Sequence, residues 1–279
     1  MKPRLAQWIF AFLLSVLLQG CSVTRIAYDN TDSFLRWQAN SYFDFQGEQS
    51  EDLDRGIAAF LAWHRSKALP RYARLGEEAA ARLLRGITRE DLEWAYDSIQ
   101  TQTREALGAV AAETAGLLDR ISPEQISHLE RRLAEENRKF ANEQMQGSVE
   151  ERHKRRVKRN RERLEKWFGP LGEAQIERVR RYSARAPFTA ELRERDRKRR
   201  QAEFVALLRA REAKQKLAQW AQAWERDREP SYAEALRLTR SEYIDLLLDL
   251  ERSLEPAQRE AAATRMREYA LVFVSLSRR

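Results

Sequence analysis

The chain has 279 residues and a formal net charge of +8; 34% of its residues are charged, whereas only 10 are Gly and 7 are Pro. This composition favours long helices, and no segment shows sustained strand alternation. Cys21 is the single cysteine, which excludes a fold held by disulfides. No later apolar segment reaches spanning length, so the sequence also excludes a transmembrane helix after Cys21.

Residues 1–20 are organised like a secretory signal peptide. Lys2 and Arg4 form a short basic region, and the apolar segment that follows is too brief to cross a bilayer. We therefore predict that residues 1–20 are removed. Because Lys2 and Arg4 are the only charged residues of this segment, its removal lowers the formal net charge from +8 to +6.

The signal peptide ends in Leu18-Gln19-Gly20-Cys21, which resembles the lipobox of bacterial lipoproteins. The resemblance implies that the Cys21 thiol takes a diacylglyceryl group and that acyl chains such as palmitate anchor the protein to a membrane. Ser22 rather than Asp follows the cysteine, which by the same resemblance implies the periplasmic face of the outer membrane. The alternative is an ordinary secretory signal with an incidental cysteine.

The remainder is predicted to be a lipidated tether over residues 21–33 and a single all-helical periplasmic domain over residues 34–279. A candidate sub-boundary lies at residues 169–172, where Gly-Pro interrupts the helical pattern. We predict an all-α fold, an elongated bundle of long antiparallel helices with short capped connections.

In the first half, aromatic residues over 34–45 predict a buried helix, and apolar spacing predicts a second over about 51–68. Pro70 predicts the start of another helix. Thr88-Arg89-Glu90-Asp91 and Ser122-Pro123-Glu124-Gln125 each predict a helix N-terminus, and the second is a capping box.

In the second half, Gly147-Ser148 predicts a break or kink, failing which one helix runs on to Phe168. A short helix over about 172–186 and a long one from Thr189 through Trp224 follow. The last third is the most apolar, so we expect the C-terminal helices to form the centre of the packing, with the basic middle projecting.

Four places share an apolar residue followed four positions later by a glutamine, and these are Gln49, Gln125, Gln175 and Gln258. Physically they are helix entries in which the glutamine caps a free amide. The glutamines are separated by 76, 50 and 83 residues, which is not a regular repeat. The pattern resembles the Leu-Thr-x-x-Gln signature of the Spy and CpxP periplasmic chaperones, and Ser122-Pro123-Glu124-Gln125 matches it best.

A second resemblance is to a functionally uncharacterised family of Gram-negative lipoproteins. It rests on the lipobox, on Tyr28-Asp29-Asn30, on Arg36-Trp37 and on the aromatic entry Phe43-Asp44-Phe45 that leads to Gln49. Trp167-Phe168-Gly169 ahead of Gln175 is also similar. This resemblance spans most of the mature chain and implies no particular activity.

No residue set for catalysis is apparent. His64, His128 and His153 are far apart and have no metal-ligand spacing, and the chain has neither a nucleophile elbow nor a phosphate loop. Glu124 and His128, one helical turn apart, lack further ligands. We therefore predict no enzymatic activity, no cofactor and no metal site.

The strongest charge feature is a basic run of eight residues, Arg152, Lys154, Arg155, Arg156, Lys158, Arg159, Arg161 and Arg163. Residues 193–200 form a second, shorter run. A secreted chain does not meet nucleic acid, so these runs either bind anionic lipid, lipopolysaccharide or acidic proteins, or are solvated faces of long helices.

Two functions follow from these observations. The preferred one is binding or chaperoning of envelope proteins through an apolar concavity between long helices; the alternative is a structural module that holds anionic surface through the basic run. Six tryptophans at helical spacing are assigned to the core rather than to a groove. The membrane is an expected partner through the lipid, whereas the sequence does not predict an oligomeric state.

Overall fold

A computed structural model describes residues 26–279, and within them the predicted all-α fold is confirmed. These residues form eleven α-helices and one π-helical turn, and they contain no strand. The helices are α1 (Thr31–Phe43), α2 (Glu48–Trp63), α3 (Leu69–Leu84), α4 (Arg89–Leu118), α5 (Pro123–Gln144), α6 (Val149–Phe168), α7 (Glu173–Arg185), α8 (Ala190–Arg209), α9 (Ala213–Gln222), α10 (Pro230–Glu251) and α11 (Pro256–Ser277).

The capping box predicted at Ser122 is present. The Ser122 hydroxyl accepts a hydrogen bond from the Gln125 amide at 3.2 Å, and the Gln125 side chain accepts one from the Ser122 amide at 2.9 Å. Thr88 starts α4 in the same way, with Asp91 as its partner. Both helix N-termini could be predicted from the sequence because capping depends only on residues within one turn.

The chain does break at Gly147, which adopts a φ of +90°. Ser148 then opens α6 with a capping box of its own, in which Glu151 accepts from the Ser148 amide at 2.8 Å. The alternative of one unbroken helix to Phe168 is therefore wrong. Glycine permits the left-handed conformation that ends α5 before α6 begins.

Pro70 lies in the first turn of α3, as predicted, but no loop separates α3 from the helix before it. α2, a π-helical turn over His64–Ala68 and α3 follow one another directly, so that one long helix covers residues 48–84. Proline lacks an N–H, so a carbonyl one turn earlier loses its usual donor. The wider π turn accommodates this change without ending the helix.

α4 and α11 pack on opposite sides of this long helix. Leu69 packs in a buried cluster with Val272 of α11. Arg71, about 200° further round the helix, forms an ion pair with Glu105 of α4. The long helix therefore lies between α4 and α11.

The four glutamine entries meet in two pairs. At the first, the Gln49 amide donates to Gln125 Oε1 at 3.2 Å and Gln125 donates back to Gln49 Oε1 at 2.7 Å. Gln49 also donates to the Arg120 carbonyl, and Gln125 to the Asp44 carbonyl. Each amide thus reaches the residue five positions before its partner, which is a local twofold relation.

The second pair repeats this arrangement at a more deeply buried site. Gln175 and Gln258 exchange hydrogen bonds of 2.9 and 3.1 Å, and both side chains are buried. Gln175 also donates to Ser253 and Gln258 to Pro170, again five positions before the partner. The separations of 76 and 83 residues are therefore the spans of two equivalent pairs.

The interior has two main cores rather than one centre. The first joins α2, α4, α5, α8 and α9. The second joins α3, α6, α7, α10 and α11. The C-terminal helices thus dominate only the second core, because the first core is built from helices that precede them.

The predicted long helix from Thr189 through Trp224 is interrupted. α8 ends before Arg211, which has a φ of +56°, and α9 turns back from it. Asp119 accepts hydrogen bonds from the amides of Ala213 and Lys214 at 2.6 and 3.2 Å and so caps the start of α9. This cap comes from 94 residues away, so local sequence did not reveal it.

Over residues 26–279, each helix is either too short or too polar to span a bilayer.

Candidate functional site

Two arginines of the predicted basic run pack against a ring rather than project into solvent. The guanidinium groups of Arg152 and Arg156 on α6 lie 5.0 and 3.8 Å from the ring centroid of Phe188. Arg152 also pairs with Glu191 at 2.7 Å. These cation–π contacts join α6 to the segment that leads into α8.

Arg156 also completes the end of α7. Its guanidinium donates to the carbonyl oxygens of Ser183 at 3.1 Å, Ala186, and Pro187 at 3.1 Å. These carbonyls belong to or follow the last turn of α7, where the helix supplies no amide partners. Burial lowers the pKa of Arg156 through desolvation, in keeping with a structural position.

The other six residues of the run remain at the surface of α6, and these are Lys154, Arg155, Lys158, Arg159, Arg161 and Arg163. Lys154, Lys158 and Arg161 each pair with a glutamate one turn away on the same helix, at 2.7, 3.9 and 2.9 Å. Within residues 26–279, Arg159 and Arg163 form no ion pair. Part of the run is therefore available to an anionic partner.

A groove of about 640 Å³ between α6 and α7 borders this surface. Its lining includes Lys158, Arg161 and Arg180, but Glu162 and Glu165 lie in it too. Because both signs of charge line the groove, it is not a dedicated anion pocket.

The second basic run is used in packing as well. Arg193 and Arg197 on α8 lie 5.4 and 5.7 Å from the ring centroid of Phe140 on α5. Arg200 lies 4.3 Å from the ring of Trp220 and donates to its carbonyl oxygen at 3.1 Å. Arginine stacking on aromatic rings is thus a recurring way of joining these helices.

Cys21 lies outside the described residues, whereas Tyr28 and Asp29, at the start of the described chain, are held against the body. Tyr28 Oη lies 2.9 Å from His64 Nδ1, and the two rings stack. Asp29 accepts two hydrogen bonds from Arg279, at 2.8 and 2.9 Å. Tyr28, His64, Tyr72 and Phe273 form an aromatic cluster at the π turn, which we call the waist.

The waist shifts the titration of two of its groups. Burial and, to a lesser extent, the nearby positive charge of Arg65 lower the pKa of His64 from 6.5 to about 4. Burial raises the pKa of Tyr28 to about 12. Both groups are therefore neutral near pH 7, so their contact is a hydrogen bond between uncharged side chains.

The other two histidines lie away from the waist, next to other helices. His128 Nε2 lies 3.2 Å from the Ser41 carbonyl oxygen, which ties α5 to α1. His153 lies in the groove between α6 and α7. Among the residues that the structure describes, no group of three or more His, Cys, Asp or Glu side chains could hold a metal ion.

An apolar depression that we call the alanine groove lies between α5 and α8. It has a volume of about 690 Å³. Its walls are small or apolar residues, namely Leu133, Ala134, Ala202, Val205, Ala206 and Ala210. Alanines face outward here where larger side chains would otherwise fill the space between two helices, so the depression stays open.

Polar bridges close both ends of the alanine groove. Asn137 donates to Gln201 at 2.7 Å and receives a hydrogen bond from it at 3.2 Å. At the other end Arg209 donates to both carboxylate oxygens of Glu130, at 2.9 and 3.0 Å. The groove therefore offers an apolar floor flanked by groups that can hydrogen-bond a peptide backbone.

Further apolar side chains are exposed on the outer face of α4. Tyr96, Ile99 and Val110 share one face by helical spacing, and Ile99 is 65% exposed. Arg240 of α10 covers the Tyr96 ring at 3.8 Å. Ile99 and Val110 are thus the open part of this face.

Sequence reasoning did not single out the alanine groove. Its only local signal is the spacing of Ala202, Ala206 and Ala210, which places three small residues on one face of α8. The opposite wall comes from α5, more than sixty residues earlier. Within residues 26–279 no tryptophan lines either groove, but none is fully buried: Trp220 stacks on Phe204 beside the first core, whereas Trp37 is 50% exposed.

The described residues define an all-α protein built from capped helical hairpins that meet at paired glutamines. The chain belongs to a family of unknown function, DUF6279, whose model matches residues 41–237. No curated protein and no solved structure matches the chain.

Proposed function

We propose that this chain is a lipid-anchored protein of the bacterial cell envelope that binds envelope proteins, including unfolded ones, without catalysing a reaction. The basic residues, the brief apolar segment and the lipobox-like Leu18–Cys21 support an anchor facing the periplasm from the outer membrane. The resemblance of its glutamine entries to the signature of Spy and CpxP supports the chaperone-like role.

The alanine groove is the observation that carries the binding proposal. An apolar side chain of a client that enters it buries area against Leu133 and the alanine floor, which is favourable by about 25 cal/mol per Å². The polar groups at both ends orient the backbone that carries this side chain. Such a site selects apolar segments of any sequence, which suits an unfolded client.

The mature chain is expected to suppress aggregation of a heat-unfolded model client such as citrate synthase, followed by light scattering. Ala206→Glu places a charge on the floor of the groove and is expected to reduce suppression several-fold. Ala81→Glu makes the same change at an exposed alanine of α3, away from the groove, and is expected to leave suppression intact.

Two results would count against the binding proposal. One is a mature chain that gives no suppression even at stoichiometric excess. The other is an Ala206→Glu variant that suppresses as well as the Ala81→Glu control. Circular dichroism of both variants establishes that each retains its helices, so that a lost activity is not lost folding.

The second candidate is a module that binds anionic surface, and the exposed part of α6 favours it. Lys154, Lys158, Arg159 and Arg163 are exposed and are not used in the Phe188 contacts. Reversal of these four charges should abolish a salt-sensitive association with vesicles that contain phosphatidylglycerol. Unchanged association would reject this candidate.

A further inference from the structure

The short chain between the acylated residue and the folded body fixes which face of the molecule approaches the membrane. Only six residues lie between Cys21 and Tyr28, so the two residues are no more than about 25 Å apart even if that chain is fully extended. Tyr28 is held by His64, and Asp29 is held by Arg279. This step rests on the lipid anchor that we propose above.

The attachment point lies midway along the long helix of residues 48–84. Fifteen residues of helix separate His64 from Gln49 in the first glutamine pair, a distance of about 22 Å. Fourteen residues separate Leu69 from Leu83, close to the second pair, a distance of about 21 Å. A tether at the middle holds the molecule by one broad face rather than by one end.

That face is formed by α1 and α11, on the side of the long helix away from α4. On α2, Asp54 pairs with Arg36 of α1, whereas Gly56, about 200° further round, approaches the backbone of Glu113 in α4. On α3 the same opposition holds between α11 and α4. The body is therefore layered, with α1 and α11 on one side and α4 on the other.

The outer surface of α1 and α11 carries exposed side chains suited to a lipid interface. Trp37 on α1 is 50% exposed, although its neighbour Gln38 is buried. Leu271 on α11 is 65% exposed, between the buried Ala270 and Val272. Ile26, close to the tether, is 62% exposed. Tryptophan and leucine in such positions favour the region of the headgroups.

Positive charge on the same side suits anionic headgroups. Arg278, two helical turns beyond Leu271 and directly after α11, is exposed. A cation close to an anionic leaflet is attracted to it over distances shorter than the electrostatic screening length. We propose that the face formed by α1 and α11 lies on the phospholipid headgroups of the leaflet that holds the Cys21 acyl chains, and that α4 faces away from the membrane.

The test uses the full lipidated chain in vesicles of phosphatidylethanolamine and phosphatidylglycerol that contain a phospholipid with a nitroxide on its headgroup. Leu271→Cys and Ile99→Cys are matched variants, because both residues are 65% exposed and lie in long helices that pack on opposite sides of the long helix of residues 48–84. Lipidation consumes the native thiol, so each variant takes a single fluorescent label.

Quenching of the label at position 271 is expected to exceed that at position 99 several-fold. Equal quenching, or stronger quenching at position 99, in a chain that floats with the vesicles would overturn this orientation and leave the lipid anchor standing. A chain that fails to float, with no diacylglyceryl group on Cys21 by mass spectrometry, would overturn both the anchor and the orientation.

Discussion

A buried glutamine amide is stable only when every donor and acceptor is used, and Gln175 meets this condition. Its amide nitrogen donates to Gln258 and to the Ser253 carbonyl oxygen. Its oxygen accepts from Gln258 and from the Gly172 amide at 3.0 Å. Each bond adds little net stability, but an unpaired group in this site is costly.

Gln258→Leu is expected to lower the free energy of unfolding by about 1–3 kcal/mol, because it leaves the buried Gln175 amide without its partner. Chemical denaturation of the mature chain, followed by circular dichroism, measures the change. The double variant Gln175→Leu with Gln258→Leu is expected to recover part of the loss, since it removes the stranded amide as well.

Gln125→Leu in the first pair is the matched control, because it removes the same cap and the same reciprocal contact at a half-buried site. Water replaces the lost bonds there, so the loss is expected to be smaller than at Gln258. Equal losses at the two sites would show that burial does not distinguish the pairs.

At the scale of one element, α6 carries basic side chains with two different roles. Arg156 stacks on Phe188 and donates to three carbonyl oxygens, whereas Lys158 is exposed and pairs only along its own helix. Composition alone assigned both residues to one basic run. What separates them is the position of the segment around Phe188, which lies about thirty residues further along the chain.

Arg156→Ala is expected to destabilise the fold by about 2 kcal/mol, because it leaves the carbonyls at the end of α7 unpaired. Lys158→Ala is expected to change stability by no more than about 0.5 kcal/mol. Thermal unfolding of both variants beside the parent measures the difference. A Lys158→Ala variant as unstable as Arg156→Ala would contradict this division of α6.

Helix starts that depend on neighbouring residues were predictable, and those that depend on distant residues were not. Ser122 needs only Gln125, three residues on. The start of α9 needs Asp119, which no periodicity connects to Ala213. Arg211 adopts a left-handed conformation that the sequence does not favour, two residues before the Ala213 amide that Asp119 caps.

At the scale of the whole molecule, the sequence predicted the places at which hairpins meet but not which of them meet. The four glutamine entries were recognised, yet their unequal spacing argued against a relation between them. The reciprocal bonds pair Gln49 with Gln125 and Gln175 with Gln258. The alanine groove is non-local in the same sense, since it exists only once α5 and α8 pack together.

The waist is where the two ends of the described chain meet. Tyr28, from before α1, contacts His64, and Phe273 of α11 is joined to His64 through Tyr72. Beside them Asp29 pairs with Arg279. A change in His64 therefore acts on the tether and on the second half of the molecule together. Its titration offers a way to measure that coupling without altering either glutamine pair.

Stability is expected to fall as the pH drops from about 6.5 to about 4, because burial lowers the pKa of His64 from 6.5 to about 4 in the folded chain. The unfolded chain takes up this proton first, so the contribution of neutral His64 is complete above pH 6.5 and is lost progressively below it. The loss amounts to roughly 3 kcal/mol by pH 4.

Denaturation at several pH values measures this loss against His64→Gln, which keeps an acceptor for Tyr28 but does not titrate. Acidic groups elsewhere contribute equally to both proteins, so two parallel curves would contradict a buried neutral histidine at the waist.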